Sequence, residues 1–93
     1  MTTGYLHIRK NETLSRDRVT DIYDVYSTRR GMKLGTIRWY GAWRQYTFAP
    51  WSETIYNPDC LREIADKCAE LTKQHRDSAR LDTEKVYSTM RHR

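Results

Sequence analysis

Between Thr20 and Ala49 hydrophobic and polar side chains alternate in three runs, Thr20–Thr28, Leu34–Tyr40 and Trp43–Ala49, each rich in β-branched and aromatic residues. A period of two with that composition predicts strands. The joints carry turn chemistry: Arg29-Arg30-Gly31-Met32-Lys33 supplies a glycine for a positive φ, and Gly41-Ala42 is short enough for a two-residue hairpin of type II′. With Gly41-Ala42 as the turn, Tyr40 faces Trp43, Trp39 faces Arg44, Arg38 faces Gln45 and Ile37 faces Tyr46. Ile37, Trp39, Tyr46 and Phe48 then share one side with Tyr23 and Val25, the only side apolar enough for a core. Thr36, Arg38, Tyr40, Trp43, Gln45 and Thr47 share the other with Asp24 and Tyr26. A one-residue slip would bury Arg38 and Gln45.

After Asn57 the apolar period changes to steps of three and four. Leu61, Ile64, Ala65, Cys68, Leu71 and Thr72 form one stripe, opposite Arg62, Glu63, Asp66, Lys67, Glu70, Lys73 and Gln74. Asn57 suits the N-cap, Pro58 the first helical position and Asp59 the positive end of the dipole. The helix is expected to cross the apolar sheet face, with Trp51, Ile55 and Tyr56 closing one end of the core. The flanks are more polar. Tyr5-Leu6-His7-Ile8-Arg9 alternates like a weak edge strand and is followed by loop-like residues, while Leu81, Val86, Tyr87 and Met90 repeat at near-helical spacing behind Asp82 as a candidate N-cap. The expected architecture is α+β, a three-stranded antiparallel β-meander with one amphipathic helix on one face. Residues 1–18 form a flexible arm or weak edge strand, 19–76 a single βββα domain, and 77–93 a basic tail or short helix.

Composition narrows what such a fold can do. Ninety-three residues make one small domain and exclude a large enzyme. A mean hydropathy of −0.94 is low for a packed core, but eleven aromatics, nine of them between Tyr23 and Tyr56, supply large buried areas. No apolar run reaches the roughly 20 residues of a membrane span and no signal-like segment opens the chain, so a cytoplasmic protein is expected. Cys60 and Cys68 are eight apart on the expected helix, about 12 Å along its axis, so they cannot pair and reduced thiols are expected.

Candidate chemistry is sparse. Cys60, at the third helical position, is the best single nucleophile, set against its reading as a small buried core residue. Cys68 and His75 share a helix face, but neither of the paired half-sites of structural zinc occurs. His7 and His92 lie in the flanks. Glycines 4, 31, 35 and 41 match no phosphate loop. The expectation is a non-enzymatic protein with no metal and no cofactor. What remains is a binding face: Arg38, Tyr40, Trp43 and Gln45 on the outer sheet surface, with Arg29, Arg30 and Lys33 as a basic cluster in the first hairpin loop. Arginines reach phosphates, exposed rings stack bases, and a β-ribbon fits a major groove. The competing reading is an ordinary solvated face, with Arg38 paired to Asp24 and Tyr40 to Trp43. Lys+Arg 17 against Asp+Glu 12 gives +5, and the excess gathers in residues 1–33, seven basic against four acidic. That excess is modest for a dedicated nucleic-acid binder, which keeps a protein target open.

The run Trp39-Tyr40-Gly41-Ala42-Trp43-Arg44-Gln45-Tyr46-Thr47-Phe48-Ala49-Pro50, with Thr54-Ile55-Tyr56-Asn57 and Cys60-Leu61, resembles a family of short uncharacterised proteins encoded by phages and prophages; the likeness covers roughly residues 19–75. It implies a mobile-element origin and the host cytoplasm, and carries no assigned activity. By fold analogy, a three-stranded sheet with one helix is similar to integrase arm-binding and plant ethylene-responsive DNA-binding domains, which dock the sheet on DNA. Two functions follow as expectations: a small DNA- or RNA-binding module, or a phage-encoded inhibitor or adaptor of a host defence protein, anti-CRISPR-like. Neither needs a membrane.

Overall fold

A computed structural model describes the backbone of residues 4–91 and the side chains of residues 4–78. Four strands form one antiparallel sheet in sequence order: β1 (Leu6–Lys10), β2 (Tyr23–Ser27), β3 (Lys33–Tyr40) and β4 (Gln45–Pro50). The sheet is therefore a meander, but with four strands where the alternation predicts three. The weak amino-terminal alternation is a full member, pairing Ile8 with Val25 and Lys10 with Tyr23. Leu6 and Ile8 are buried in the core, which is what fixes a strand whose polar alternate residues gave little signal.

Between β1 and β2 a short helix, α1 (Glu12–Ser15), stands where loop is expected. Asn11 caps it, its Oδ1 accepting from the Leu14 N–H at 2.8 Å, while its own N–H donates to the Ile22 carbonyl. Ser15, buried, holds Ile22 at both ends: its Oγ accepts from the Ile22 N–H at 2.9 Å and donates to the Ile22 carbonyl at 3.2 Å. These bonds tie the end of the connection back to its start.

The β3–β4 turn also differs. Gly41 to Arg44 make a four-residue loop, Tyr40 pairs with Gln45, and Trp39 pairs with Tyr46. The N–H groups of Trp43 and Arg44 donate to the Tyr40 and Gly41 carbonyls, and Arg44 closes the loop in the left-handed region at φ 54°. A two-residue turn would have set Trp39 against Arg44 on the core side; the longer loop sets it against the Tyr46 ring, edge to face at 5.6 Å. The slip is even, so every side chain that remains on β3 and β4 keeps its expected face, while Trp43 and Arg44 pass into the loop. Ile37, Trp39, Tyr46, Phe48, Tyr23 and Val25 all belong to the core side.

On β3 one extra residue, Leu34, is accommodated between the pairs Val25–Gly35 and Tyr26–Lys33. This bulge lets Leu34 join the core while Lys33 points to the outer face.

One long helix, α2 (Pro58–Arg91), covers the inner face. Asn57 caps it as expected, Oδ1 accepting from the Cys60 N–H at 2.7 Å. The buried stripe is rotated from the expected one: Cys60, Ile64, Leu71 and Thr72 are buried, whereas Leu61 is half exposed and Ala65 exposed. The crossing segment differs similarly. Tyr56 seals the core against Phe48 and donates to the Leu34 carbonyl at 3.0 Å, but Ile55 points to solvent and Trp51 lies outside the core. The helix runs on without a break at Asp82; the side chains of Leu81, Val86, Tyr87 and Met90, and all of His92, lie outside the described residues.

Candidate nucleic-acid interface

The parity of the strands decides what the outer face carries. His7 and Arg9 from β1, Asp24 and Tyr26 from β2, Lys33, Thr36, Arg38 and Tyr40 from β3, and Gln45, Thr47 and Ala49 from β4 stand on it. Arg38, Tyr40 and Gln45 are exposed there, as their positions predict. Trp43 sits in the loop above them rather than on a strand, 65% exposed, its ring edge to face with Tyr40 at 5.0 Å. These four therefore converge at one end of the sheet.

The basic cluster does not join them. Lys33 begins β3 and Tyr40 ends it, so seven strand steps, about 23 Å, separate the two groups. Nor do its members face the same way. Arg29 and Arg30 border a cleft of about 290 Å³ shared with Leu6, Leu34 and Cys60, on the helix side of the sheet. Lys33 is on the outer face but committed: its ammonium lies 2.9 Å from Oδ1 of buried Asp24 and 5.0 Å from the centre of the Trp51 ring. Asp24 Oδ1 accepts no further hydrogen bond, while Oδ2 accepts from Asn11 Nδ2 at 2.9 Å. Arg38 is therefore not the partner of Asp24, and among the described residues it forms no ion pair.

Three groups on this face escape the reading of the chain. Arg9 lies over the Tyr26 ring at 5.1 Å, His7 flanks the same ring at 6.4 Å, and Trp51 returns across the sheet to meet Lys33. The first two follow once Tyr5–Arg9 is accepted as a strand, because its polar alternates must then share the face opposite Leu6 and Ile8. Trp51 had no signal, since it lies beyond the alternating run. Together they make a second cation–aromatic group at the opposite end of the sheet from Tyr40 and Trp43. An open depression of about 460 Å³ lies beside it, between His7, Arg9, Tyr26 and Gly31.

Charge separates across the molecule. Among the described residues the only carboxylate on the outer face of the strands is Asp24, and Lys33 neutralises it; Arg9 and Arg38 remain. Residues 58–78 of the helix carry five acidic and four basic side chains. The exposed sheet is thus the positive side, while residues 58–78 carry a slight negative excess and α2 as a whole is balanced.

The cysteines look inward. Cys60 is buried in the core, and burial pushes the Cys68 thiol above its ordinary pKa, which lowers the thiolate fraction a nucleophile needs. Among the described residues no three His, Cys, Asp or Glu side chains gather as metal ligands, and no helix is long and apolar enough to cross a membrane. No protein-family model matches the chain, and comparison with curated proteins and with solved structures finds no match.

Proposed function

We propose that this chain is a small non-enzymatic nucleic-acid-binding module of phage or mobile-element origin, acting through the outer face of its sheet. The observation that carries the reading is a set of exposed groups on one side, Arg9, Arg38, Tyr40, Trp43 and Gln45, where Asp24, the sole strand carboxylate among the described residues, is buried and already neutralised. Cations without counter-charges gain affinity by releasing the ions condensed on phosphates, and exposed rings add stacking. Arg29 and Arg30, exposed on the hairpin beyond one end, extend the positive surface without belonging to the face. The origin rests on the resemblance of the Trp39–Pro50 run to short phage and prophage proteins.

A gel-shift titration with random-sequence duplex and single strands, at two salt concentrations, tests the reading. Four contacts, from Arg9, Arg29, Arg30 and Arg38, give an expected slope of log K against log salt of about −3.6 for duplex and about −2.8 for single strands. Binding that ignores salt would instead mark an aromatic protein interface, the host-inhibitor reading. Absence of binding to either nucleic acid at micromolar protein and low salt removes the proposal.

A further inference from the structure

We propose that the outer sheet face takes single-stranded nucleic acid in preference to duplex, an inference that rests on the nucleic-acid reading and adds the class of substrate. Width is the first argument. Four strands about 4.8 Å apart place the axes of β1 and β4 about 14 Å apart before any side chain is counted. The major groove of B-DNA is about 12 Å wide and admits a helix or a two-stranded ribbon. The fourth strand thus makes the sheet too broad to enter flat.

Ring exposure is the second. Trp43 is 65% exposed and Tyr40 and Trp51 about half. A duplex hides the flat faces of its bases, whereas a single strand offers them to aromatic rings and to guanidinium planes. Tyr40 with Trp43 supplies such a platform at one end of the face, and Arg9 over Tyr26 supplies another at the opposite end. Between them stand Arg38, exposed, and Thr47, half-buried, with Thr36 buried beneath the face and, among the described residues, no uncompensated acid on the strands. The distance along β3, about 23 Å, is covered by at most about seven nucleotides, the number at the 3.4 Å stacked spacing of a strand in duplex DNA. Bases stack at the two ends, and Arg38 meets the backbone between them.

Fluorescence anisotropy on the full chain, with a labelled mixed-sequence oligonucleotide of about 12 nucleotides and the same oligonucleotide annealed to its complement, decides the matter. The expected result is at least about tenfold tighter binding of the single strand. Trp43→Ala and Tyr40→Ala should each weaken that binding by between about fivefold and about 150-fold and should weaken duplex binding less, because a duplex hides the base faces these rings stack on. Circular dichroism confirms that both variants fold. Duplex bound equally well or better overturns the inference and leaves the nucleic-acid reading standing. Single-strand preference that survives both substitutions overturns the role of this face. Failure of both ligands to bind at low salt removes the two readings together and hands the face to a protein partner.

Discussion

Trp39 and Trp43 are four residues apart, yet the strand and the turn give them opposite roles. Trp39 is half-buried, its ring tilted against that of His75 at 4.5 Å and edge to face with Tyr46, so Trp39→Ala should lower stability by roughly 3–5 kcal/mol. Trp43→Ala should change it by no more than about 0.5 kcal/mol. Urea denaturation of the two variants checks the contrast, and equal destabilisation would show the assignment of faces to be wrong. Gly35 is subtler. Its neighbour across the sheet is Pro50, and a Cβ added there would press on the Ala49 carbonyl and come within 2.9 Å of both the Phe48 ring and the Pro50 Cα. Backbone on one side leaves little room to yield, so Gly35→Ala should cost about 1–3 kcal/mol, read as a lower melting midpoint. Parity along the strands made the Trp39 role legible in the chain. The contacts at Gly35 were not, because they depend on which residue of β4 lies opposite.

At the scale of elements, the two ends of the sheet are handled differently. β4 is an edge strand, and α2 attends to it: the Tyr46 N–H donates to Thr72 Oγ1 at 2.9 Å, and the same hydroxyl donates to the Cys68 carbonyl at 2.7 Å. Pro50 removes another donor from that edge, a common means of discouraging strand addition. Thr72→Val keeps the shape and removes the acceptor, leaving a buried N–H unpaired, and should cost about 1–3 kcal/mol. Thr72→Ser should retain most of the stability, and a Val variant as stable as the parent would show that the bond contributes nothing. Asn57, Pro58 and Asp59 announced the start of α2 without help from the rest of the fold. The buried stripe was less legible: Leu61 reads as core by hydropathy, but the helix turns Cys60 inward to meet Leu6 and Leu34, and Leu61 faces water. Hydropathy ranks residues; the azimuth of a helix over a sheet is set by the shape of the sheet.

For the whole molecule, the tyrosines of the core link stability to alkaline pH. Burial, the Asp21 carboxylate and, for Tyr46, the neighbouring Tyr23 raise the phenol pKa values of Tyr23 and Tyr46 above the ordinary 10.0, and burial raises Cys68 above 9.0. An acid whose folded pKa is raised is protonated in both states below its unfolded value, and loses a proton first in the unfolded chain above it. These three groups should therefore add no pH dependence below about pH 9, after which stability falls first through Cys68 and then faster above pH 10. Urea midpoints taken across that range test this, and Tyr23→Phe with Tyr46→Phe should flatten the steeper limb. The same scale shows the charge separation that no segment reveals. The excess in residues 1–33 is visible in the chain, but Lys33 is absorbed by Asp24 and Lys10 pairs with Asp21 at 3.6 Å, so the positive outer face is carried instead by Arg9 and Arg38.

By itself the chain determined the alternation of strands, the faces of the two best strands and the beginning of the helix. These follow from periodicity and capping, which act between residues a few positions apart. Tertiary structure alone decided that β1 joins the sheet, that the last hairpin turns on four residues, and that the basic loop and the aromatic end stand at opposite ends of β3. Those outcomes depend on which partner each strand buries itself against, a competition among distant surfaces that local pattern does not encode.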